Sequence, residues 1–205
     1  MKRIVAGSLI MMLLVLSLVG CGGQDSNESG KETSSKGHEI ALITDKGNID
    51  DKSFNQGSWE GVVDFAKAED ISHTYIKPEE ASDTGYLAAI DLAVAGGAKV
   101  VVTPGFLFEV PIYEAQNKYP DVKFILLDGA PHPAKSYDED IKDNVASIKY
   151  AEEESGYLAG YAAVMDGMTN LGFMGGMAVP AVQAFGYGYL QGAEAAAEEL
   201  GLDDG

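Results

Sequence analysis

The densest set of side chains able to do chemistry lies in residues 43–57, which read Ile-Thr-Asp-Lys-Gly-Asn-Ile-Asp-Asp-Lys-Ser-Phe-Asn-Gln-Gly. An ionised carboxylate at Asp45 accepts N–H or O–H donors, and Asn55 offers both a donor and an acceptor. Phe54 between them is flat, apolar and suited to stack on a ring. Asp128, followed by Gly129, supplies a further carboxylate after the apolar run Phe124-Ile125-Leu126-Leu127. Either aspartate has a structural alternative as a turn residue beside its glycine. Asp50 and Asp51 invite a cation, but a place at the positive end of the following helix, or in solvent, suits them better. His38, His73 and His132 lack the spacing of a metal site, and no Ser-His-Asp arrangement is readable, so binding without a metal, a cofactor or a catalytic residue is expected.

The elements that must position these residues follow from hydropathy. Ile40–Ile43, Thr74–Ile76, Val100–Val102, Phe124–Leu127 and Val145–Ile148 are short apolar or β-branched runs, and helical stretches at Ser53–Glu69, Ser82–Ala95 and Phe108–Lys118 separate the first four. That alternation predicts a parallel sheet with helices on both sides. Asp45 and Asp128 then sit at the C-terminal ends of the first and fourth strands, the edge where open α/β sheets bind ligands. Ser53 and Gln56 have the spacing of a capping box. With Trp59, Val62, Val63 and Ala66 as the core stripe, Phe54 lies roughly 130° away around the helix and is free for another use.

Beyond Ile148 a helix is expected over Ala151–Met168, a new strand at Leu171-Gly172-Phe173-Met174 and a helix from Pro180 to Leu200. One strand and one helix enclose no core of their own, so a second lobe is expected to begin here and to be truncated. Phe185 sits at the edge of the stripe Val182, Gly186, Tyr189, Ala193, Ala196 and Leu200, where core packing is its alternative role.

At the other end, Met1-Lys2-Arg3 precedes an apolar run from Ile4 to Val19, shorter than the twenty or so residues that span a bilayer. The single cysteine, Cys21, follows Leu-Val-Gly and resembles a lipobox, which makes Cys21 the expected lipidation site and a palmitate-type acyl chain the anchor. Residues 22–37 are rich in Gly, Ser and charge and read as a flexible tether. The chain carries 14 basic against 32 acidic residues, a net charge of −18 that argues against a nucleic-acid polymer as partner.

With the Asp45–Gln56 run in view, and with Thr103-Pro104-Gly105-Phe106, Asp128, Gly175-Gly176 and Phe185-Gly186-Tyr187 beside it, the chain resembles the basic membrane protein family, which includes purine nucleoside receptor lipoproteins of ABC importers. The resemblance implies an α/β, periplasmic-binding-protein-like (type I) fold whose two lobes close on a nucleoside. It implies Asp45, Phe54, Asn55, Asp128 and Phe185 as ligand contacts, with the two phenylalanines sandwiching the base, and Ser53 and Gly105 as further contacts. Its expected partners are an ABC permease and ATPase, with the body lipid-anchored on the extracytoplasmic face of the cell membrane. The organisation expected is residues 1–21 signal peptide and lipobox, 22–37 tether, 38–149 first lobe, 150–169 crossover and hinge helix, and 170–205 the incomplete second lobe. A sensing lipoprotein of the same fold is the alternative. A calcium-dependent nucleoside hydrolase is a weaker one, since Ile43 stands where its leading acid would be and an extra residue separates Gly47 from the Asp pair.

Overall fold

The computed structural model describes residues 37–202. The expected signal peptide, Cys21 and most of the tether lie outside the described residues.

Five strands, β1 Ile40–Ile43, β2 His73–Ile76, β3 Val100–Pro104, β4 Lys123–Leu127 and β5 Val145–Ile148, form one sheet in the order β2-β1-β3-β4-β5. Every pairing is parallel. Period-two alternation divides β1 between two cores. Ala41 and Ile43 face one layer with Tyr86, Ile90, Phe108 and Ile112, contributed by helix α2 (Asp83–Ala95), a 3₁₀ turn at Phe106–Phe108 and helix α3 (Glu109–Lys118). Ile40 and Leu42 face the other, beneath Val62 and Trp59 of helix α1 (Phe54–Ala68). Helices therefore cover both faces, as the βα rhythm predicts. The chain runs from β1 outward to β2 and then returns to β3 on the other side, so the β1 and β3 ends diverge at a topological switch point.

α1 begins where expected but is capped differently. Ser53 occupies the N-cap without a side-chain bond to the helix. The Asp51 carboxylate instead accepts from the N–H groups of Ser53 (2.8 Å) and Gln56 (3.2 Å), while Gln56 Oε1 accepts from the Lys52 N–H at 2.9 Å. A charged acceptor outcompetes a hydroxyl at the positive end of a helix, which displaces the predicted capping box.

Helices α4 (Glu152–Met165) and α5 (Pro180–Leu200) pack against each other. α5 opens with Pro180 in its first turn and ends at Gly201 with φ 65°, the proline-start and glycine-stop signals its sequence carries. Of the expected stripe Gly186 and Ala196 are buried, Val182, Tyr189 and Ala193 are half-buried and Leu200 is exposed, while Gly188 and Gly192 beside it are buried as well. A β-carbon at Gly156 or Gly160 of α4 would collide with the carbonyl oxygens of Phe185 or Tyr189, and one at Gly188 or Gly192 with those of Glu153 or Tyr157. The two backbones touch, and glycine is what lets them.

The strand expected at Leu171–Met174 is absent among the described residues. A strand is a paired object, and no described neighbour offers it a ladder. Phe173 instead lies near α5, its ring centroid 6.3 Å from that of Tyr189.

Candidate functional site

The site is assembled at the C-terminal edge of the sheet. The loop after β1 is held by Asn55, which is 3% exposed. Its Oδ1 accepts from the Asp45 N–H at 3.0 Å, and its Nδ2 donates at 2.7 Å to both Asp45 Oδ1 and Asp51 Oδ2. Asp45 Oδ1 also accepts from the Gly47 N–H at 2.8 Å, the turn-closing bond that was its structural alternative. Asn55 and the backbone N–H groups of Gln56 and Ser53 hold the Asp51 carboxyl below the usual carboxylate range. An amide nitrogen thus sits where a cation joining these two carboxylates would have to be, which also weighs against a calcium-dependent hydrolase.

This loop delivers Phe54, half-buried at the first position of α1, to a cleft of about 230 Å³ that it shares with Asp128, Tyr150, Glu152, Ala181 and Phe185. An adjoining depression of about 460 Å³ is lined by Ser53, Phe54, Gly57, Ser58, Leu127 and Tyr150. Phe54 and Tyr150 wall both, with ring centroids 6.3 Å apart in an edge-on arrangement. Three of the expected contacts, Phe54, Asp128 and Phe185, therefore meet in one cleft, and Ser53 lines the adjoining depression. Asp45, Asn55 and Gly105 line neither depression. Gly105 forms the turn after β3 with φ 106°, a conformation that favours glycine. A separate depression of about 350 Å³ between α4, α5 and residues 173–176 is lined almost wholly by apolar groups and has no carboxylate, amide or cation to orient a polar ligand.

Asp128 is the most perturbed group in the cleft. It sits at φ 59°, donates its N–H to the Ile148 carbonyl at 2.7 Å, and is pushed up to about 6 by burial first and then by the charge of Glu152. Nearby Glu109 is engaged elsewhere, accepting from the Ala130 N–H at 3.1 Å and contacting His132 Nε2 at 3.2 Å. A carboxyl whose folded value lies above its ordinary 3.8 stabilises the fold most at low pH and loses that contribution as pH rises through about 6. Asp128→Asn removes the buried charge and keeps a side chain that tolerates positive φ. It should therefore raise stability at pH 7.5 by on the order of 2 kcal/mol, with no gain below about pH 4, as read by urea unfolding at both pH values.

Two cleft residues escaped the sequence reading. Tyr150 counted only as part of a crossing and Glu152 not at all. Yet both directly follow β5, and the rule that singled out Asp45 and Asp128 at strand ends applies to them equally.

The family described as Bmp, ABC transporter substrate-binding protein PnrA-like, matches residues 38–203. The chain belongs to the Bmp family. Among Bmp relatives, the ABC transporter nucleoside-binding protein BmpA of Lactococcus lactis is 34% identical over 98% of this chain and 56% of its own length. A CD4+ T-cell-stimulating antigen of Listeria innocua is 31% identical over the same shares. An uncharacterised lipoprotein of Pyrococcus abyssi is 30% identical over 95% of this chain and 46% of its own length. The fold matches an ABC transporter solute-binding protein from Aeropyrum pernix with a TM-score of 0.65 and 26% identity, covering 81% of this chain and 45% of that one. The chain thus spans about half the length of these relatives, and its α/β body has the fold of periplasmic-type solute-binding proteins.

Proposed function

We propose that this Bmp-family chain captures a nucleoside, with purine nucleosides preferred, for delivery to a membrane permease and its ATPase. One observation carries the reading: Phe54 at the start of α1 and Phe185 on α5 border a single cleft whose polar members are the carboxyl groups of Asp128 and Glu152. A purine is apolar on its faces and polar at its rim, and its ribose brings hydroxyl donors, so aromatic walls with fixed acceptors suit it. The nucleoside-binding name of the Lactococcus lactis relative points the same way. Asp45 and Asn55 contribute chiefly by holding the loop that presents Phe54, with Ser53 at the rim and Gly105 shaping the β3 turn. No step of this reading calls for catalysis.

The body corresponds to residues 38–149 as a first lobe, 150–169 as the crossover and hinge, and 170–205 as the portion that brings Phe185. Export and lipidation at Cys21 would hold it on the outer face of the cell membrane through residues 22–37, in keeping with the lipoprotein name of the Pyrococcus abyssi relative. Calorimetric titration with inosine, guanosine, adenosine, cytidine and ribose tests the function. Purine nucleosides should bind at micromolar or better and ribose alone should not. Phe54→Ala should weaken that binding by about 1–3 kcal/mol, the scale of a base–aromatic stack. An unchanged affinity removes Phe54 from the site, and silence toward every nucleoside removes the ligand class.

A further inference from the structure

Asp128 and Glu152 reach the same cleft from different elements, Asp128 from the end of β4 and Glu152 from the first residue of α4. Both carboxyl groups line that one cleft of about 230 Å³, and the Glu152 charge adds to burial in raising Asp128. Among the described residues neither forms an ion pair. The other charged groups near Asp128 offer no compensating cation: Glu109 of α3 adds negative charge, and the His132 ring is turned to Glu109. Two carboxylates side by side in a partly buried cleft with aromatic walls repel unless something supplies hydrogen between them.

We propose that Glu152 is a ligand-contact residue: it and Asp128 share one proton before the ligand binds, and release it when hydroxyl groups of the ligand donate to both. The proposal rests on the nucleoside reading of the cleft, which supplies a ligand with adjacent hydroxyl donors. Hydroxyl donors favour the ionised form of the carboxyl that accepts them, so two of them arriving at the pair drive the proton off to solvent. Burial first, and then the neighbouring Glu152 charge, push the Asp128 carboxyl up to about 6. Affinity should then rise as pH rises toward 6, by up to about tenfold per pH unit for one proton, and level off above it.

The test has two arms. In the protein without ligand, the carboxyl carbons of Asp128 and Glu152 are followed by NMR from pH 3 to pH 9, in the parent and in Glu152→Gln. The expected result is a midpoint near 6 for Asp128, displaced to lower pH by the substitution because the glutamine carries no charge to hold the proton. An Asp128 midpoint in the ordinary carboxylate range, or one that Glu152→Gln leaves in place, overturns the proposal. In the second arm, inosine binding is measured calorimetrically at pH 5 and pH 7.5 in buffers of different ionisation enthalpy. Proton release close to one at pH 5, falling towards zero at pH 7.5 and reduced in Glu152→Gln, supports the exchange, and binding without release at pH 5 overturns it. If no nucleoside binds at either pH while the pair titrates as expected, the fault lies with the receptor reading and the shared proton stands.

Discussion

Gly160→Ala and Gly192→Ala should each lower unfolding free energy by about 3 kcal/mol or more, at the upper end of what overpacking costs. The added methyl group would collide with the Tyr189 or Tyr157 carbonyl oxygen, and backbone, unlike a flexible side chain, does not swing aside. α4 and α5 would have to separate along their length. Against this runs alanine's helix propensity, worth only about 1 kcal/mol. Gly61 in α1 provides the control, because a β-carbon there meets nothing within 4 Å. Gly61→Ala should therefore stabilise by about 0.5–1 kcal/mol. Denaturant unfolding of the three variants measures the contrast, and equal effects at all three positions would contradict the close approach of the helices.

Asn55→Ala should cost about 1–3 kcal/mol of stability, since it strands a part-buried backbone donor and removes the amide that bridges two carboxylates. The Asp45 N–H loses its acceptor, and Asp45 Oδ1 and Asp51 Oδ2 lose the amide that lies 2.7 Å from each. Asn55→Asp should be worse, putting a third negative charge into the same few ångströms, with added salt recovering part of the loss. Nucleoside affinity should fall in both variants because the loop no longer presents Phe54. Affinity that falls while stability holds would mean that Asn55 contacts the ligand itself.

These residues mark what a sequence exposes and what it conceals. The strands were legible because buried parallel strands are short unbroken apolar runs, and the extents of β1, β5 and α5 follow from their sequences alone. The placement of Asp128 and Phe54 at the C-terminal edge of the sheet was legible through topology, since one follows a strand and the other opens the helix behind a strand. The hydrogen bonds of Asp45 and Asn55 were not, because an amide reads identically whether its bonds go inward to a loop or outward, and only geometry shows the loop bonds Asn55 makes. The packing face of α5 was concealed for another reason. A hydrophobic stripe announces burial by apolar side chains, and at Gly156, Gly160, Gly188 and Gly192 the approach of α4 and α5 is made by residues that have none. The expected strand at Leu171–Met174 shows the converse, an apolar run with nothing described to pair with.

The seating of one helix on the other has a mechanical consequence. The Phe185 carbonyl rests against Gly156, one turn beyond Glu152, so a displacement of α4 would carry the aromatic ring on α5 along with the acid that opens α4. A pivot at Lys149–Ala151, the short link after β5, would swing both toward Phe54 and Asp128 in a single stroke. The stacking surface and the proton acceptor would arrive together, and a ligand would meet them as one jaw.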